Sequence, residues 1–407
     1  MPPFKKFKTI SYVLSGAGIV FCGVCLYKGN ENFYKKIIMP VIFNLEPETA
    51  HALSINLLKW NIYPRMTITK SDMLKVQYLG LDLANPIGLA AGCDKNGLVM
   101  KPFYQTGFSF IEVGSVTPLP QIGNPKPRIY RLIPDTAIIN RLGFNNEGFD
   151  VVYKRVKAFR DHMIQHFDDY GDHKLGVNLG KNKASTSLYQ DYIAGIRKFH
   201  SVTDYLVINI SSPNTPGLRD IQREGFLEPL LFEINKTKNE IIKIYLSNLD
   251  QRNEKFPLIF LKISPDMNDS ENDHVAQTVL KWNKHCIDGL IIANTTVSRP
   301  SELNSAPELI NQAGGLSGKP LFDTSTNLIK QFYRKTQGKI MIIGVGGVSN
   351  GQDAYDKIRS GASLIQLYTA LLYQGPPVIP KILRELEALL KRDGYTHVSQ
   401  AVGTDVK

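Results

Sequence analysis

Short runs of β-branched and aromatic residues alternate with helical periodicity from residue 76 onward. Residues 76–78 and 81–83 flank the turn pair Leu79-Gly80 and predict a small hairpin. Eight further runs, 87–90, 110–113, 175–178, 205–209, 258–263, 290–293, 341–345 and 364–367, are nearly continuous in apolar residues. That pattern predicts parallel strands covered on both faces. Amphipathic stretches at 151–165, 188–199, 273–284 and 353–360 predict helices between them. Eight strand–helix units of even size predict an α/β fold, a closed (β/α)8 TIM barrel with its functional groups just beyond the strand C-termini. A doubly wound open sheet is the rival, but no GxGxxG opens the first helix.

The first seventy residues follow a different pattern. Lys5, Lys6 and Lys8 precede a run, 10–27, with no charged residue. That is close to the roughly 17–25 residues a spanning helix needs. A cleaved secretory signal has the same basic start; the length of the run and the lack of a small-x-small site favour a retained anchor. The lysines, without arginine, make only a weak mitochondrial leader. Beyond it, Ile37, Ile38, Val41, Ile42 and Leu45 recur at helical spacing, and Pro47 starts a second helix with an apolar face of Ala50, Leu53, Leu57 and Leu58. Such a pair is either a hairpin packed on the domain or an apolar mouth facing a bilayer, and its place after an anchor favours the mouth. The chain divides into a targeting segment and transmembrane anchor at 1–30, a small membrane-associated helical domain at 31–70, and the barrel at 71–407.

A barrel alone takes roughly 250 residues, so 407 residues leave room for this appendage. The net charge of +11 is scattered along the chain with no RNP-like, zinc-finger or helix-turn-helix pattern. It argues for anionic substrates, phosphate or an anionic membrane surface, and against nucleic acid. Of the four cysteines only Cys22 and Cys25 have CxxC spacing, inside the apolar run and without a second ligand pair. Neither a metal site nor a disulfide framework is expected.

The predicted strand ends carry the chemistry. Gly346-Gly347 after the seventh strand and Tyr368-Thr369 after the eighth match the barrel phosphate site, with Ser317-Gly318 as further donors, although tight turns would use the same glycines. Asn140, Asn178, Asn209, Asn214 and Asn294 gather at the same mouth. A primary amide has a donor and an acceptor edge, as flavin and pyrimidine rings do. Lys262 interrupts an apolar strand and needs negative charge nearby. A reduced flavin, a Schiff-base substrate and an intrabarrel salt bridge are three readings of it. Lys95, in a glycine-flanked loop, suits a substrate carboxylate. Ser211-Ser212 has no GxSxG or triad setting, so acyl transfer is not expected.

Ile208-Asn209-Ile210-Ser211-Ser212-Pro213-Asn214-Thr215-Pro216-Gly217-Leu218 resembles the dihydroorotate dehydrogenases. So do Ala90-Ala91-Gly92-Cys93-Asp94-Lys95, Glu112-Val113-Gly114-Ser115-Val116-Thr117-Pro118, Asn140-Arg141-Leu142-Gly143-Phe144-Asn145, Asn294-Thr295-Thr296-Val297-Ser298-Arg299-Pro300 and Gly314-Gly315-Leu316-Ser317-Gly318. The motifs run in the family's order from about residue 45 to 375. The resemblance implies oxidation of dihydroorotate to orotate with FMN, in pyrimidine biosynthesis. By matched position, Ser212 is the base that removes the C5 proton, with Thr215 and Phe144 in its relay and Lys262 at the flavin. Lys95, Asn140, Leu142, Gly143, Phe144, Asn209, Asn214, Asn294 and Thr295 match substrate contacts. Ala91, Gly92, Ser115, Asn140, Asn178, Asn209, Lys262, Ala293, Ser317, Gly318, Gly346, Gly347, Tyr368 and Thr369 match FMN contacts. Serine in place of cysteine, and the N-terminal extension, imply the membrane-bound class that passes electrons to ubiquinone, with membrane lipid as a partner. In eukaryotes that class sits on the mitochondrial inner membrane. His51 and Arg131 match its quinone tunnel. Leu142 stands where some relatives have tyrosine, and Cys93 where phenylalanine is common.

Overall fold

The computed structural model describes residues 3–68, 70–247 and 255–406, with side chains from residue 16 onward. In chain order, the hairpin β1 (Val76–Tyr78) and β2 (Leu81–Leu83) comes first, followed by β3 (Ile87–Leu89) and β4 (Phe110–Val116). Next are β5 (Ile129–Leu132), β6 (Ala137–Asn140), β7 (Lys174–Leu179), β8 (Tyr205–Asn209), β9 (Leu258–Lys262) and β10 (Gly289–Ile292). The last three are β11 (Gly315–Gly318), β12 (Met341–Val345) and β13 (Leu364–Leu367). Eight of them close into a barrel in the order β3-β4-β7-β8-β9-β10-β12-β13, all parallel. Each corresponds to one of the eight runs expected from the sequence. The β1–β2 hairpin packs near the N-terminal end of β7, where Ala84 N–H donates to Asp172 C=O at 3.1 Å.

The barrel floor is filled by rings set against glycines. Gly88 pairs with Phe110, Gly176 with Tyr205 and Gly289 with Phe260 on neighbouring strands. A methyl group on Gly88 or Gly176 would lie 2.3 Å and 2.1 Å from the opposite ring, so bulk on one strand requires its absence on the next. Phe110, Tyr205 and Phe260 then meet edge to face at 6.3 and 5.7 Å. Two residues further along each strand, on the same side of the pleat, come Glu112, Asn178, Val207 and Lys262. An apolar floor thus carries a mostly polar layer facing the C-terminal mouth.

One element is absent from the sequence reading. β5, β6 and β11 form a separate antiparallel sheet, with its own small core of Leu132, Ala137, Ile139 and Leu316. Ser317 and Gly318 therefore lie on a strand rather than in a loop. Asn140 and Arg131 also belong to this sheet, not to the barrel.

Ahead of the barrel, the helix Pro3–Lys28 covers the uncharged run. Among the described residues no helix is long and apolar enough to cross a membrane. The side chains of residues 1–15, including the leader lysines, lie outside those described. The expected helical pair is present: Glu31–Phe33, a π-helical turn Tyr34–Ile38 and Met39–Phe43 run on from one another, and Pro47–Lys59 follows. Glu46 caps the last of these, its carboxylate accepting from Thr49 N–H at 2.8 Å.

Candidate active site

A single cavity of about 1430 Å³ runs from the helical pair to the barrel mouth. At its outer end the walls are Ile38, Ile42, Ala50, Leu57 and Leu58, with His51 and Arg131. Other apolar side chains of the pair point away: Ile37, Val41, Leu45, Leu53 and Trp60 are exposed and outside the cavity lining. The pair is therefore apolar on two sides, one toward the cavity and one toward the surroundings. Arg131 holds the pair to the small sheet, donating to the carbonyls of Leu45 at 2.7 Å and Phe43 at 3.3 Å, at the end of Met39–Phe43. A cation there also offsets the negative end of the helix dipole.

At its inner end the cavity is lined by Ala91, Gly92, Lys95, Ser115, Asn140, Leu142, Gly143, Phe144, Asn209, Ser212, Asn214, Lys262, Ala293, Asn294, Thr295, Ser317, Gly318, Gly346, Gly347, Tyr368 and Thr369. Two expected residues stand behind this wall. Thr215 is buried outside the lining, and Asn178 is fully buried in the network beneath it.

That network explains how a lysine is tolerated in a barrel strand. Lys262 Nζ lies 3.8 Å from Glu112 Oε1, so the intrabarrel ion pair exists, although longer than a hydrogen bond. Glu112 spends its oxygens on Asn178 Nδ2 at 2.7 Å and Gln366 Nε2 at 2.6 Å. Asn178 Oδ1 accepts from Ser115 Oγ and, at 3.1 Å, from Asn209 Nδ2, which also donates to Ser115 at 3.0 Å. Asn294 Nδ2 donates to Ser211 Oγ at 3.0 Å and faces Asn209 Oδ1 at 3.3 Å. The amides are thus fixed by one another before any ligand arrives. Glu112 and Gln366 were not singled out as functional, yet they carry the signal that exposed Lys262: a polar residue inside an apolar strand.

Ser212 is buried, and its Oγ accepts from Asn214 N–H at 3.3 Å. A donor aimed at that oxygen favours negative charge on it. Asn214 Nδ2 reaches Asn140 C=O at 3.2 Å, tying the loop after β8 to β6. Arg219 braces the same loop by donating to Ser211 C=O at 3.0 Å, Thr295 C=O at 3.0 Å and Asp266 at 2.7 Å. Sequence reasoning missed Arg219, since an arginine in a polar loop has no distinguishing pattern.

Lys95 lines the cavity without a hydrogen bond or ion pair among the described residues. Desolvation in the enclosed space pushes its ammonium below the usual lysine range, against the pull of Cys93, Glu48 and Asp94. Buried Asp94 holds the loop by accepting from Leu98 and Val99 N–H, both at 2.8 Å. Burial likewise pushes the Cys93 thiol up to about 12, which makes it an inert apolar filler. His51 is pushed down to about 3 by burial and by the charge of Lys95.

The residues fit FMN. Gly346 and Gly347 have φ of +119° and +75°, and a methyl group on Gly347 would lie 2.8 Å from Phe322 N. The glycine pair therefore lies against the start of the helix Phe322–Lys335, leaving backbone N–H groups and room for a phosphate. Thr369 Oγ1 and Ser317 Oγ, 3.0 Å apart, add hydroxyls beside it. Lys262 lines the same cavity and could face an anionic flavin edge.

Known proteins place this arrangement. Residues 73–390 match the family model described as dihydroorotate dehydrogenase. The chain is 44% identical over 402 residues to the dihydroorotate dehydrogenase (quinone), mitochondrial, of Mus musculus, covering 98% of each chain. It is 42% identical to the dihydroorotate dehydrogenase (quinone) of Parvibaculum lavamentivorans, covering 90% of this chain and 97% of that one. The dihydroorotate dehydrogenase of Eimeria tenella solved with ferulenol superposes with a TM-score of 0.82 at 39% identity, over 90% of this chain and 98% of that one. The chain belongs to the dihydroorotate dehydrogenase family.

Proposed function

We propose that this chain oxidises (S)-dihydroorotate to orotate with FMN as hydride acceptor and ubiquinone as final acceptor, in de novo pyrimidine synthesis at the mitochondrial inner membrane. The observation that carries this reading is the single cavity joining an apolar, helix-lined mouth to a polar barrel site. The quinone and the mitochondrial location come from what similar proteins are named. The uncharged run 10–27 serves as a single-pass anchor, and the exposed apolar face of the helical pair rests on lipid.

FMN, when bound, supplies the two-electron acceptor between dihydroorotate and the quinone. It would be held by Ala91, Gly92, Ser115, Lys262, Ala293, Ser317, Gly318, Gly346, Gly347, Tyr368 and Thr369, with Asn178 beneath the wall fixing Ser115 through its amide. The chain's own groups do the rest. Lys95 meets the substrate carboxylate, which restores the charge that burial disfavours. The amides of Asn140, Asn209, Asn214 and Asn294, with Thr295, match the C=O and N–H groups of the ring. Leu142, Gly143 and Phe144 close the wall and keep water out. Ser212 Oγ takes the C5 proton, the Asn214 N–H stabilises charge on that oxygen, and Thr215 with ordered water carries the proton on, Phe144 walling that path. His51 and Arg131 line the quinone's path.

The test is turnover of dihydroorotate by detergent-solubilised protein, with a ubiquinone analogue, fumarate or NAD supplied separately. Quinone-only turnover is expected. Turnover only with fumarate or NAD would overturn the quinone reading, and none with any acceptor would overturn the substrate.

A further inference from the structure

The mechanism makes no use of Lys357, although it is among the largest fully buried side chains of the molecule. It sits on the helix Gly351–Arg359 and points into the start of Phe322–Lys335. Its Nζ donates to Ser325 Oγ at 2.7 Å, Thr326 Oγ1 at 2.8 Å and Phe322 C=O at 3.4 Å. It also lies 4.7 Å from the centroid of the Phe322 ring. No carboxylate comes within ion-pair distance of it among the described residues. Asp323, Asp353 and Asp356 are the acids that face it from the two helices. Asp353 is committed to Ser349, and Asp356 to Gln352.

The groups that hold Lys357 are also the back wall of the glycine pair. Ser325 Oγ is 3.2 Å from Gly346 C=O. A methyl group on Gly347 would strike Phe322, whose carbonyl Lys357 touches. An ammonium buried without a counter-anion, directly behind an anion cradle, is an arrangement that an incoming anion completes.

We propose that Lys357 is a positioning residue of the phosphate site, holding the first turn of the helix Phe322–Lys335 and supplying the positive charge behind the glycine cradle. The inference rests on the FMN reading above. In the absence of an anion, burial pushes the lysine down to about 7; a phosphate dianion nearby pulls it back up.

The test separates the phosphate from the rest of the flavin. Flavin is stripped from the purified full chain, and FMN and riboflavin are titrated back by fluorescence, in wild type, Lys357→Met and Lys357→Gln. Both variants should lose about tenfold or more in FMN affinity while riboflavin affinity holds within about twofold. The glutamine variant keeps a donor to the hydroxyls and serves where the methionine variant does not fold. In the wild type, the preference for FMN over riboflavin should also decline as pH rises from about 7 to 9, where free phosphate is already a dianion. Equal losses for both ligands, or unchanged FMN affinity, would overturn the proposal by reducing Lys357 to a packing role. A wild-type chain that binds riboflavin and FMN equally would overturn it too. No flavin binding by the wild type would instead overturn the FMN reading itself.

Discussion

Arg128 grips the carboxylate of Glu48 through two nitrogens, Nη2 at 2.8 Å from Oε1 and Nε at 3.2 Å from both oxygens. Its remaining Nη1 donates to the carbonyls of Ile122 and Asn124. This pair joins the helix Pro47–Lys59 to the loop before β5, so it sets the position of one cavity wall. The arginine side chain is 6% exposed and the glutamate 15%, so losing one partner strands a largely buried charge. Burial opposes ionisation of Glu48, but the bonds and charge of Arg128 and then Lys126 outweigh it and hold the carboxyl below its ordinary range. The stabilisation is therefore present above the ordinary carboxylate pKa and lost as pH falls through the depressed one. Glu48→Gln should cost about 3 kcal/mol of local docking. Amide hydrogen exchange in residues 47–59 would then speed up about a hundredfold at neutral pH. Exchange unchanged there would show that the pair does not hold the helix.

Replacing the proposed base gives a cleaner chemical test. Ser212→Ala removes the oxygen that accepts from Asn214 N–H but leaves the Glu112–Asn178–Asn209 network untouched. Turnover should fall about 10²- to 10⁴-fold with flavin content preserved. A variant retaining more than a tenth of wild-type turnover would remove Ser212 from its role.

The contrast between these residues shows what could be read in advance. The eight barrel strands were legible because parallel strands covered on both faces are almost unbroken apolar runs. The site residues at their ends were legible because those runs stop at glycine, asparagine and lysine. The sheet of β5, β6 and β11 was not. Its strands are only four residues each, and 129–132 is only half-buried, so its pattern is weak; its third strand, β11, lies some 175 residues along the chain from the β6 it pairs with, as the Gly315–Asn140 pairing shows. Arg128, Arg219 and Lys357 were hidden for another reason. Each acts through backbone carbonyls, hydroxyls or one distant carboxylate, and nothing in the local sequence records such partners.

His51 offers a pH test of the helical wall. With its pKa pushed down to about 3 by burial first and Lys95 second, it is neutral when folded, whereas in the unfolded chain it takes up a proton below about 6.5. The unfolded state then binds more protons, so stability is full above about 6.5 and declines as pH falls toward the folded value. Replacing His51 with glutamine should remove this part of the acid sensitivity. Between pH 7 and pH 5 the variant should lose about 1–2 kcal/mol less than wild type in urea denaturation. Equal losses would mean that His51 is solvated and titrates normally.

Lys95 faces the opposite problem, since it must be charged to work. Its pKa is lowered, first by desolvation, so the fraction able to meet a carboxylate declines at a lower pH than for an exposed lysine. The KM for dihydroorotate should accordingly rise on the alkaline side before pH 10.5, while the KM for quinone stays level. Lys95→Met should raise the dihydroorotate KM about 10- to 100-fold, the worth of a charge-assisted hydrogen bond. Lys95→Arg keeps its charge across the range, so any binding it retains should not fall with alkaline pH. A flat wild-type profile up to pH 10 would place the substrate carboxylate elsewhere. A steep profile persisting in the arginine variant would assign the titration to another group.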